Sequence, residues 1–414
     1  MLARLVRALA WTAALSLLPA GLSSQNANPT AASRTDARDP YVKGDPARMA
    51  AAGYVSYGPF PLGERHDTRA VEALLGGEPL LWIETKHFRI GAALSPFPIT
   101  GDSDGTRKLR AELARLHQRL PTVKPATKTL DPWLRAHLIA QRAEESYAEF
   151  CELLKVTPAT FPQSARRLDE VSLDEFHGFG PYLGQREKFT ILIFRKTASL
   201  ARYTKAYQGR EVTYPIRHHD HAFDAATFAV AEESSRALFT DDTALHTHLV
   251  YNLTHLFHTS YRAYGHEIPA WYATGLAHWN ARRVSPRFPA YDQRADGEGE
   301  TRSFWQWEKR APGLLRKRAF LPVEELTEIL DVTRFGFEQH IQCWAFVDFL
   351  MATRRDAFVA FVHGMKDPFH ARRRFPTPAE LHERQRQLAL TCFAVDFAGL
   401  ESAWREHLQK GERR

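Results

Sequence analysis

Residues Leu245 to Trp279 read LHTHLVYNLTHLFHTSYRAYGHEIPAWYATGLAHW, and the reading of this stretch decides the fold. Asp241 or Asp242 is placed to cap a helix running to about Tyr261, and Pro269 to open a second one. At 3.6 residues per turn, His248, Tyr251, His255 and His258 fall on one stripe of the first helix. Leu245, Leu249, Leu253 and Leu256 fall on the neighbouring face and read as core. Two helices are expected, the first carrying a row of titratable side chains beside a leucine core face.

That layout has a chemical counterpart. A zinc hydrolase built on one helix needs histidines at i and i+4, a glutamate beside the first as general base, and a third ligand from elsewhere. Here those positions hold Tyr251, Asn252 and His255. The pieces YNLTH and PAWYATGLAHW resemble the paired motifs of the gluzincins, most closely the exported bacterial branch called peptidase MA-like, with its HE-x-x-H and P-x-W-x-x-EGLA helices. In that superfamily the third ligand is the glutamate before the glycine, often eighteen residues beyond the second histidine. Passing over residues 256 to 273 from His255 leads to Thr274. The spacing is kept while Tyr251, Asn252 and Thr274 replace the first histidine, the base and the glutamate. WIETKHFRI from Trp82, KFTILIF from Lys188 and the CWAFVDFL helix from Cys343 fit the same branch, so the resemblance spans roughly Leu80 to the C-terminus.

The resemblance implies a zincin-like (gluzincin) α+β fold with a mixed N-terminal sheet and a mainly helical C-terminal half. It implies a catalytically degenerate relative, a pseudopeptidase, because a carboxamide at 252 cannot shuttle a proton near neutral pH. Such a relative needs no cofactor and can hold a peptide or protein in the vacated cleft. An alternative is a metal-dependent hydrolase with shifted ligands, in which zinc or another transition metal sits on His255, His258 or Tyr251, and His278. His278 would lie about 6 Å along its helix from position 274. A third reading is a cell-envelope scaffold. Glu232 and Glu233 are the nearest carboxylates that would substitute for the base, although adjacent acids usually mark a solvated strand end.

The rest of the chain bounds these readings. Arg4, Arg7 and the apolar run Ala8–Leu18, followed by small residues, read as a signal peptide over residues 1–24, which implies export to the periplasm or beyond. Its removal lowers the formal charge from +7 to +5. Basic clusters at 316–318 and 372–374 are separated and lack interleaved aromatics, which argues against nucleic acid. No later stretch is apolar enough to span a membrane. Cys151, Cys343 and Cys392 follow no ligand spacing and read as buried thiols.

Residues 25–53 read as a flexible linker, 54–240 as the N-terminal α/β part, 241–290 as the helices carrying the altered motif, and 291–414 as a helical part. A hairpin is expected over 80–90, helices over 107–120 and 132–154, and strands over 188–194 and 225–231. The family likeness makes the 225–231 strand the cleft's edge, open to pairing with a peptide backbone. His218, His219, Asp220 and His221 read as a solvated loop, and His266–Glu267 as a false motif interrupted by Pro269.

Overall fold

Six strands form the main sheet: β1 (Tyr54–Ser56), β2 (Leu81–Thr85), β3 (Phe88–Ala92), β4 (Phe189–Phe194), β5 (Ile216–Asp220) and β6 (Ala225–Ala231). The computed structural model describes residues 39–411 except 102, 168–169, 171–175, 235–237, 265–267, 292–303 and 367–375. The proposed signal peptide, residues 25–38 of the linker, the Arg372–Arg374 cluster and the His266–Glu267 pair lie outside the described residues.

The order across the sheet is β1-β2-β3-β4-β6-β5. The β2–β3 hairpin is antiparallel, β3, β4 and β6 run parallel, and β5 returns antiparallel to β6. Every residue of β4 and β6 is buried, as expected of strands covered on both faces, whose sequences FTILIF and AATFAVA do not alternate. On one face Ile83, Ile90, Ile191, Phe228 and Val230 join the main core. On the other, Trp82, Leu192, Phe194 and Ala229 form a second cluster with Leu200 and Tyr203. The molecule is therefore a mixed α+β structure, with apolar cores on both sides of its sheet.

The helices that position the site are α1 (Asp104–Arg119), α2 (Pro132–Leu153), α3 (Thr197–Gln208), α4 (Asp242–Ser260), α5 (Ala270–Val284), α6 (Trp307–Arg316) and α7 (Phe337–Thr353). Three more helices complete the C-terminal part, Arg355–Met365, Pro378–Phe393 and Phe397–Gly411. A further short helix, Val323–Thr327, precedes α7. Asp131 caps α2 by accepting from Leu134 N at 3.0 Å, with Pro132 at the first helical position. At Gly275 of α5 an added Cβ would lie 2.5 Å from the Cys343 carbonyl oxygen, so this glycine lets α5 and α7 approach closely.

Three expectations are corrected. The linker is shorter than read, because residues 39–53 fold onto the domain. Val42 is fully buried, Pro46–Ala52 is helical, and the buried Asp39 carboxylate accepts from Tyr57 Oη at 2.6 Å. The segment 216–220 is strand rather than loop, and it takes the edge position from 225–231, which has neighbours on both sides. Its polar residues suit a half-exposed edge strand. Glu232 is buried rather than solvated: it pairs with the buried Arg135 of α2 and accepts from Ser95 N at 2.9 Å. Arg135 also approaches Asp242 at 3.5 Å, and Arg142 reaches both Asp242 and Glu112 at 2.6 Å. This network ties α1, α2 and the start of α4 to the end of β6.

Cys343 is fully buried, whereas Cys151 and Cys392 are half-buried, and all three are free thiols. Among the described residues no helix is long and apolar enough to cross a membrane.

Candidate functional site

Helix α4 begins where Asp241 accepts from Thr243 N and Ala244 N, at 2.9 and 3.0 Å. Its leucines at 245, 249, 253 and 256 are buried in the main core, which fixes the rotation of the helix. The stripe carrying His248, Tyr251, His255 and His258 is also buried, its four residues being at most 8% exposed. The helix is thus buried nearly all round.

Tyr251 lies between two imidazoles, its ring centroid 4.9 Å from that of His255 and 4.9 Å from that of His278 on α5. It packs with Ala277, Ala281 and Ala290 in a small apolar cluster of its own. Farther along α4, His258 meets Phe150 at 5.1 Å and Tyr272 of α5 at 5.7 Å. The pairs Tyr251–His278 and His258–Tyr272 run in opposite chain directions. The two helices are therefore antiparallel, and this register sets His255 level with the turn that holds Thr274. Thr274 is fully buried and its hydroxyl has no hydrogen-bond partner among the described residues.

His278 Nε2 shares a 3.0 Å hydrogen bond with His340 Nδ1 of α7, and its ring stands 4.7 Å from that of Trp307. Burial holds His278 well below the usual imidazole range, and the nearby His340, Arg282, His255 and His248 add to the effect. Burial likewise drives His258 down to about 3, with Lys366 contributing. Both are neutral imidazoles at neutral pH.

Asn252 is held at both ends of its amide. Its Nδ2 donates to the His248 carbonyl oxygen at 2.8 Å, and its Oδ1 accepts from Arg217 Nη1 at 2.8 Å. Arg217 comes from the edge strand β5 and its guanidinium also lies 5.9 Å from the Tyr251 ring centroid. This arginine is absent from the sequence reading. The signal that would have found it is the alternation in IRHHD: Arg217 and His219 share one face, while Ile216 joins the core cluster of the other. On the Arg217 face, His219 stacks on Tyr264 and pairs with Asp224 at 3.2 Å.

The donors at the positions implied by the resemblance are a phenol, one imidazole and a secondary hydroxyl. That set does not fit zinc, which takes imidazole, thiolate or carboxylate ligands. Of the shifted set, Tyr251, His255 and His278 come together, whereas the ring contacts of His258 are with Phe150 and Tyr272. Among the described residues no group of three or more His, Cys, Asp or Glu side chains is arranged to hold a metal ion. Glu233, the other carboxylate considered as a substitute base, accepts from Thr197 N at 2.6 Å at the start of α3.

No family model matches the chain, no curated protein is similar to it in sequence, and no solved structure matches it.

Proposed function

We propose that the chain is an exported, catalytically inactive relative of gluzincin-type peptidases that binds peptide along the free edge of β5. The observation that carries this reading is the hydrogen bond from Arg217 to Asn252. A general base must take a proton from the attacking water and return it to the leaving group, and a carboxamide does neither near neutral pH. The guanidinium facing it is a permanent cation, and it would disfavour proton uptake by any group placed at 252.

Tyr251 supports the same reading, because it fills the volume between His255 and His278 with an apolar ring packed on three alanines. The interior of the site is thus closed by side chains. Beside it lies β5, the last strand of the sheet, whose outer edge pairs with no further strand among the described residues. An extended peptide gains main-chain hydrogen bonds by adding to such an edge.

The test incubates the full chain with a mixed peptide pool and reads products and retained peptides by mass spectrometry. Retention without cleavage, with backbone amides of 216–220 gaining protection from hydrogen exchange, is expected. Cleavage that disappears in His255→Ala would refute inactivity, and retention that leaves 216–220 unprotected would refute the edge-strand mode.

A further inference from the structure

In an open sheet, ligands gather beyond the carboxyl ends of the parallel strands. Strands β3 and β4 are such a pair, and just past their ends lies a cleft of about 540 Å³. It is bounded by Ala93 and Leu94 after β3, by Arg195 and Lys196 after β4, by Leu75 and Leu81, and by Trp133 at the start of α2. That volume is within the usual range of small-molecule sites, roughly 300–1,000 Å³. Neither Tyr251, Asn252 nor any residue of β5 lines the cleft, so it has no part in the function proposed above.

The floor is apolar, since Leu75, Ala93, Leu94 and Trp133 are all buried side chains. The rim is charged, and its charges differ in what they already do. Arg195 donates to the Leu94 carbonyl oxygen at 3.2 Å and to Ser95 Oγ, and it approaches Glu232 at 3.8 Å. Glu78 accepts from Arg195 N at 2.9 Å and from Ser199 Oγ. These two residues are committed to the walls. The side chains of Lys196 and Arg202, both exposed, form no ion pair or hydrogen bond among the described residues, although the Lys196 ammonium lies near enough to Glu233 to help hold its carboxyl below the usual range. The amide at the start of α3 is taken as well, because Thr197 N donates to Glu233. An anion here would therefore meet two side-chain cations rather than a helix terminus.

We propose that this cleft binds an amphipathic monoanion, an alkyl-chain carboxylate whose chain lies on the Leu75–Leu94–Trp133 floor and whose head group meets Lys196 and Arg202. Both halves are required by the chemistry. An apolar floor alone would accept any hydrocarbon, and two exposed cations alone would hold a carboxylate only weakly in water. Together they favour a ligand that loses apolar surface and places its charge at the rim.

The experiment titrates the full chain with laurate, with dodecanol as the uncharged chain, with acetate as the head group alone, and with phosphatidylglycerol vesicles. Saturable one-to-one laurate binding is expected, at least tenfold tighter than dodecanol, with acetate and the vesicles not retained. Lys196→Glu with Arg202→Glu, two exposed substitutions that leave the floor intact, should weaken laurate at least tenfold and leave dodecanol unchanged. The proposal is overturned if laurate does not bind, if dodecanol binds as tightly, if the double variant retains full laurate affinity, or if only vesicles are bound. A peptide-binding failure at β5 leaves each of these outcomes unaffected.

Discussion

At position 252 the difference between an amide and an acid is one heavy atom, yet it decides what the neighbouring arginine does. Arg217 Nη1 donates to a neutral oxygen 2.8 Å away. A carboxylate in the same place would form a charge-assisted pair and be held below its ordinary pKa, which weakens it as a base. Zinc-ligand restoration by Tyr251→His and Thr274→Glu, followed by Asn252→Glu, should therefore give only slow hydrolysis. Adding Arg217→Leu should then raise the rate, within the roughly 10²- to 10⁴-fold that general base catalysis supplies. Equal peptide-cleavage rates with and without Arg217 would show that the arginine does not restrain this position.

His258 makes a second case at the same scale. Both of its ring nitrogens are buried without a hydrogen-bond partner among the described residues, and the ring lies against Phe150 and Tyr272. Its folded pKa of about 3 is below the unfolded value. The neutral ring is thus favoured in the fold, and its contribution is fully present above about pH 6.5 and lost as the pH falls toward 3. Each such histidine costs up to about 1.4 kcal/mol per pH unit across that window. His258→Phe should hold stability at pH 7 and flatten its decline between pH 6.5 and 4, as read by urea unfolding at several pH values. A slope equal to that of the wild type would contradict this account.

Among the elements, those set by periodicity were legible in the sequence. The leucine face of α4, the Asp241 cap, the Pro269 boundary and the β2–β3 hairpin follow from local pattern and capping chemistry. Strand β5 was not, since IRHHD has the composition of a loop and owes its conformation to pairing with β6. Glu232 failed for a related reason, because its partner Arg135 lies 97 residues earlier in the chain. Long-range polar pairing leaves no local trace. Its energetic weight is testable: Glu232→Ala would leave Arg135 buried with much of its charge uncompensated, a loss on the order of 3–5 kcal/mol. Chemical denaturation should show a shift of that size, and a change under 1 kcal/mol would mean that Asp242 and water compensate Arg135.

On the scale of the whole molecule, the sheet and the two central helices hold Tyr251, Asn252, His255 and Thr274 in buried positions beside the last, partly buried strand of the sheet. The spacing from His255 to Thr274 was visible in the sequence, whereas the closing of the interior by Tyr251 and Arg217 was not, since it depends on how α5 and β5 meet α4. The central claim is that the missing chemistry lies in the side chains alone and that the helix frame remains correct for it. Zinc stoichiometry after exhaustive dialysis tests this most directly, comparing the untagged wild type with the Tyr251→His, Thr274→Glu variant. The account predicts well under one equivalent in the wild type and about one in the variant. One equivalent in the wild type that is lost on His255→Ala, or none in a variant that folds normally, would contradict it.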